Sequence, residues 1–188
     1  MTPRTSITHP LQIAHVEAPG AKGAVGITFC PGKKQRNALT GAWDRDLRLD
    51  LDVIQGWGPA TVVTLIEPQE FVELGVADLG PKIRARGIEW LHMPISDYSP
   101  PDHRFETGWA EHRNRLREEI RAGSRVLVHC KGGLGRAGTV AALLLVELGM
   151  KPDEAIRAVR KARKGAIETQ KQERYVLDWP LVGSGIPV

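Results

Sequence analysis

Residues 125–150 read RVLVHCKGGLGRAGTVAALLLVELGM: an apolar run ending on Cys130, three glycines and an arginine within the next six positions, then a second apolar run. The segment RVLVH is short, β-branched and bounded by polar residues and glycine, which predicts a strand. The segment AGTVAALLLVEL is apolar almost all round, which predicts a buried helix. The turn CKGGLGR between them therefore leaves the carboxyl end of a strand and enters the amino end of a helix. In such a turn successive backbone N–H groups point inward and the helix start adds its positive dipole end, so together they make an anion nest. Gly132, Gly133 and Gly135 supply the backbone freedom, and Lys131, Leu134 and Arg136 complete the phosphate-binding set. A dinucleotide site would need an acidic residue about 20 positions after its glycines, and a nucleotide-binding loop would need Gly-Lys-Ser or Gly-Lys-Thr. Neither pattern is present.

The residue types in the turn define a chemistry. A thiolate is the reactive form of cysteine, and a nest, a helix start and a nearby guanidinium all favour it at Cys130. The planar fork of Arg136, five residues further on, can grip two phosphoryl oxygens and balance charge in a phosphoryl-transfer transition state. This predicts a phosphocysteine intermediate and calls for no metal ion or cofactor. The Thr139 hydroxyl, one helical turn beyond Arg136, is a candidate donor to the departing sulfur, and His129 is expected to order the loop. The remaining histidines show no zinc-ligand spacing.

Working outward, residues 25–30, 61–66 and 88–93 read as further strands, and residues 11–16 as a fifth at an edge. Helical patterns lie between and after them, the last over residues 169–179. Alternation of this kind predicts an α/β fold, a central mostly parallel five-stranded sheet flanked by helices, with ligands at the carboxyl ends of strands. A chain of 188 residues suits one domain, here a core over 25–180 preceded by an extension over 1–24. Two cysteines, Cys30 and Cys130, give no disulfide framework, and the amino terminus lacks the pattern of a signal peptide, so a cytoplasmic protein is expected. No apolar run is long enough to span a bilayer. The net charge of +4, with basic clusters at residues 33–36 and 160–164, favours anionic partners. The second cluster reads as a solvated helix face, and without interleaved aromatic residues nucleic acid is not expected.

The segment HCKGGLGRAGT resembles the signature loop of the cysteine-dependent protein tyrosine and dual-specificity phosphatases. The segments FCPGKK, MPISDYSPPD and GAIETQKQERYV are similar, in order, to parts of the cyclin-dependent-kinase-associated phosphatase family. The resemblance covers most of residues 25–180 and implies a cysteine phosphatase fold. It implies hydrolysis of phosphotyrosine and phosphoserine or phosphothreonine in proteins, with a protein kinase as a candidate partner. A monomer is the expected state. Lys131 is similar instead to the tensin-type phosphoinositide phosphatases, which implies an inositol phosphate or anionic lipid as the alternative substrate. Low-molecular-weight phosphatases place the same loop near the amino terminus with the acid after it, the reverse of the order here.

The leaving oxygen needs a proton, so a carboxylic acid should face the nest. Asp97 and Asp102 share one loop. Asp102 follows two prolines and precedes a helix, where a capping aspartate is expected. Asp97 comes directly after a strand and matches the family's general acid. Gln172 resembles the glutamine that positions water in related enzymes, with an exposed helical glutamine as the alternative. Tyr98, Lys33 and Lys34 are candidate substrate contacts, and Cys30 is a buried apolar residue or a redox partner of Cys130.

Overall fold

Short β-branched or apolar runs, with period-3.6 patterns between them, set the architecture. The computed structural model describes residues 2–17, 20–38 and 41–180. Its strands are β1 (Ala14–Glu17), β2 (Ala24–Phe29), β3 (Lys34–Gln35), β4 (Trp43–Asp44), β5 (Thr61–Thr64), β6 (Glu89–His92) and β7 (Arg125–Cys130). Its helices are α1 (Leu47–Trp57), α2 (Pro68–Glu73), α3 (Leu79–Arg84), α4 (His103–Ala122), α5 (Gly135–Glu147), α6 (Pro152–Ala162) and α7 (Gln170–Leu177).

Five strands form one sheet in the order β1-β2-β7-β5-β6, and β3 pairs with β4 in a separate ribbon. Within the five-stranded sheet β1 alone runs antiparallel to its neighbour; β7 is parallel to both β2 and β5. A strand buried on both faces reads as a continuous apolar run, and β7 does so because helices cover both sides. Val126, Val128 and Cys130 join the cluster that includes residues of α4, α5 and α6. Leu127 turns to the other cluster with Leu51, Ile54, Leu79 and Ile83. This alternation fixes the register and puts the end of β7 at the sheet's centre.

Local signals set the helix ends. Asp46 caps α1 by accepting from the Leu49 amide at 3.0 Å. Asp102 caps α4 through the Arg104 amide at 3.0 Å and also pairs with the Arg104 guanidinium, as its position after the prolines predicts. Thr169 and Gln172 form a capping box on α7. Every residue of α5 is buried.

The structure differs from the expectation in its edges. The first strand lies over Ala14–Glu17 rather than 11–16, since only these residues pair with β2. β5 ends at Thr64 rather than at residue 66, although the Leu65 amide still donates to the His129 carbonyl at 3.0 Å. The short helices α2 and α3 and the β3–β4 ribbon carry too few residues for a periodic pattern to show.

Candidate active site

Cys130 is the last residue of β7, 3% exposed, and the nest residues 131–134 run directly into α5. The loop turns back over the strand, so that the Gly133 amide donates to Cys130 Sγ at 3.3 Å. Gly133 makes this turn at φ +68, and a Cβ there would lie 2.5 Å from the Phe29 amide nitrogen. Only glycine fits.

Arg136 lies on the first turn of α5, its side chain almost wholly buried. Nη1 and Nη2 grip the two Glu70 carboxylate oxygens at 2.6 and 3.0 Å, and Nη1 also donates to the Ile95 carbonyl at 3.1 Å. Burial alone would push this guanidinium down, but the Glu70 pairing, joined by Cys130 and Asp97, raises it. The same contact, against burial, holds the Glu70 carboxyl below its ordinary range. Nε of Arg136 is buried and has no hydrogen-bond partner among the described residues. One donor of the fork is thus free beside the nest.

Asp97 follows β6 on the facing loop. Its Oδ1 lies 2.9 Å from Arg136 Nη2, and its side chain is 43% exposed, so it meets both the guanidinium and solvent. Tyr98 is exposed, takes a left-handed backbone at φ 55, and donates its amide to Asp97 Oδ1 at 3.2 Å. This sharp turn aims the carboxylate back across the loop.

Other residues singled out in the sequence have been given definite surroundings. His129 is fully buried, its Nε2 2.7 Å from Thr64 Oγ1, which also accepts from Trp90 Nε1 at 2.8 Å. Burial pushes the imidazole down to about 3, so it is neutral at ordinary pH. The Thr139 hydroxyl donates to the Gly135 carbonyl at 2.8 Å. Gln172 is buried, not on an exposed face: Oε1 accepts from the Thr169 amide at 3.2 Å and Nε2 donates to the Ser99 carbonyl at 3.0 Å. It ties α7 to the loop that carries Asp97. Lys131 is part-exposed and 3.9 Å from Glu70. Lys34 pairs with Asp44 at 2.6 Å on the ribbon. Lys33 is buried. Cys30 is buried too, and burial raises its thiol far above the ordinary range. It is therefore a poor nucleophile.

Sequence reading missed two carboxylates. Glu70 follows β5 at the same sheet edge as the nest, within a capping box with Glu67. That position, a carboxylate just past a strand's carboxyl end, was its one available signal. Glu168 accepts from the Gly135 amide at 2.8 Å, and no local pattern marks it. Among the described residues, no group of three or more His, Cys, Asp and Glu side chains converges as metal ligands would, and no helix is long and apolar enough to cross a membrane.

Comparison with known proteins bears on this geometry. Residues 45–176 match the family model described as Swiss Army Knife protein, DSP-PTPase phosphatase domain. The chain is 31% identical over 155 residues to cyclin-dependent kinase inhibitor 3 of Rattus norvegicus, covering 81% of this chain and 69% of that protein. It is 37% identical over 90 residues to protein tyrosine phosphatase type IVA 2 of Mus musculus, covering 47% of this chain and 53% of that protein. The match thus spans about half of that relative's length. A solved structure of kinase associated phosphatase, with serine substituted for its catalytic-site cysteine, superposes with a TM-score of 0.76 at 27% identity, covering 89% of this chain and 92% of that one. With a thiol, a glycine-rich nest and a guanidinium at the sheet edge, and with these matches across most of its length, the chain belongs to the DSP-PTPase family of cysteine phosphatase domains.

Proposed function

We propose that the protein is a cysteine-dependent phosphomonoester hydrolase of dual-specificity type, acting on phosphotyrosine and on phosphoserine or phosphothreonine in proteins. The observation that carries the reading is the free Nε of buried Arg136 beside the Cys130 thiol and the loop amides. Cys130 Sγ attacks phosphorus as the phosphorus–oxygen bond to the leaving group breaks, and Asp97 protonates the departing oxygen. Arg136 and the amides of residues 131–136 hold the equatorial oxygens. Phosphoryl oxygens compete with Asp97 for the guanidinium, which frees the carboxyl to face the leaving group. In the second half, water attacks phosphorus, Asp97 takes its proton, and Cys130 leaves as thiolate. Gln172 supports the water-side geometry by holding the Ser99 carbonyl. A kinase appears in the names of two relatives, which favours a phosphorylated kinase as substrate. The proposal extends to a monomeric chain acting in the cytoplasm.

Cys130→Ser is expected to abolish hydrolysis of an aryl phosphate. Asp97→Ala is expected to lower kcat by about 10²–10⁴, more for a poor leaving group than for a good one. Equal rates for wild type and Cys130→Ser would end the reading.

One observation supports a second substrate class. Lys131 shares a surface pocket with Lys34, Arg36 and Glu73, three cations to one carboxylate, a setting that suits a further phosphate on an inositol ring. Side-by-side rates on phosphopeptides and inositol lipids distinguish the two. If Lys131→Ala leaves their ratio unchanged, Lys131 does not select the substrate.

A further inference from the structure

The two basic clusters are not both solvated surface; one residue of each turns onto the nest. Lys33 is 4% exposed, and its Nζ lies over the rings of Trp43 and Phe29 at 4.6 and 5.2 Å from their centres. That Nζ donates to the Lys131 carbonyl at 3.2 Å, and the Cys30 amide donates to the same carbonyl at 3.3 Å. The segment is itself pinned, since the Gly32 amide donates to Asp50 at 2.8 Å and Asp50 pairs with buried Arg45. From the other half of the chain comes Arg163, the C-cap of α6. Its Nε donates to the Gly133 carbonyl at 3.1 Å and its Nη2 to the Gly132 carbonyl at 3.4 Å.

A peptide unit is planar and trans, so each carbonyl opposes the N–H of the following residue. Holding the carbonyls of Lys131, Gly132 and Gly133 outward therefore fixes the amides of Gly132, Gly133 and Leu134 the opposite way. The Gly133 amide, so held, is the one that donates to Cys130 Sγ. Its glycines give this loop more backbone freedom than residues with a Cβ would, and an unclamped nest would sample carbonyls facing the anion.

We propose that Lys33 and Arg163 are positioning residues, a two-cation clamp that turns the nest amides inward and favours the Cys130 thiolate. The proposal rests on the phosphatase reading above. Both cations face Cys130 electrostatically, as does Arg136; Lys33 also faces Cys30, Arg45 and Lys131, and Arg136 in turn faces Glu70 and Asp97. Burial pushes Lys33 down to about 8, so the clamp sheds one charge in mild alkali and keeps the other.

The test reads Cys130 without turnover. Full-length wild type, Lys33→Met, Lys33→Gln, Arg163→Met and Arg163→Lys are alkylated with iodoacetamide from acid to mildly alkaline pH, with peptide mapping of the label and inorganic phosphate as protectant. Both Met variants are expected to move the midpoint of the alkylation profile to higher pH and to need about 10-fold more phosphate for protection, a change of one decade. Arg163→Lys should recover part of the loss by keeping a cation near the carbonyls. Lys33→Gln keeps a donor without a charge, so it separates the hydrogen bond from the field and serves if Lys33→Met fails to fold. Wild-type profiles and wild-type protection in the folded variants of both residues would overturn the clamp. Wild type that phosphate does not protect would instead sink the phosphatase reading, and the clamp would then stand or fall on the alkylation profile alone.

Discussion

Acid should cost this protein stability through His129 before most carboxylates titrate. The imidazole is 0% exposed, and burial lowers it to about 3 from an ordinary value of 6.5. Between these values the unfolded chain binds a proton that the folded chain refuses. The contribution is therefore complete above pH 6.5 and is lost as pH falls toward 3. The slope is about 1.4 kcal/mol per pH unit, so going from about pH 6.5 to about pH 5 removes about 2 kcal/mol. In a domain of this size that amounts to roughly 4–8 °C in Tm. His129→Gln places a non-titrating amide within reach of the Thr64 hydroxyl and should hold its Tm nearly constant over the same window. Calorimetry on both proteins at a few pH values across it measures the difference. Parallel losses of Tm in the two would refute a buried neutral imidazole as the source.

Glu70→Ala leaves Arg136 with the Ile95 carbonyl and part-exposed Asp97, and removing one partner of a buried pair costs about 3–5 kcal/mol. Thermal unfolding should show a large fall in Tm, and kcat/KM on an aryl phosphate should fall with it; an unchanged Tm would show that Glu70 does not anchor the guanidinium. Gly133→Ala puts a Cβ 2.5 Å from backbone at φ +68, so the nest cannot keep its shape. Its aryl phosphate turnover should be lost, and wild-type turnover would mean that the turn adapts.

Much of the site was legible because its core is local. Cys130, the glycines and Arg136 lie within one strand-turn-helix, where short-range sterics and hydrogen bonding leave few alternatives, and the run of β7 declared its burial on both faces. Asp102 was legible as a cap for the same reason. Glu70, Glu168 and Arg163 were not, and Lys33 read as a substrate contact rather than as a buried prop of the loop, because a charged residue on a short helix or loop looks the same whether it faces water or a partner far along the chain. Arg163 read as part of a solvated face until the fold set it against Gly132 and Gly133. Gln172 likewise gave no sign that it would be buried against the Asp97 loop.

The sequence by itself determined the order of the five sheet strands and the longer helices, the nest and the place of its cysteine, since these follow from side-chain periodicity and from the backbone freedom of glycine. Tertiary structure alone decided which charges meet. The parallel order β2-β7-β5 brings the carboxyl ends of three strands to one edge, so segments over sixty residues apart deliver Glu70 to Arg136. Charge pairing acts over a few ångströms, and only the fold sets distances on that scale.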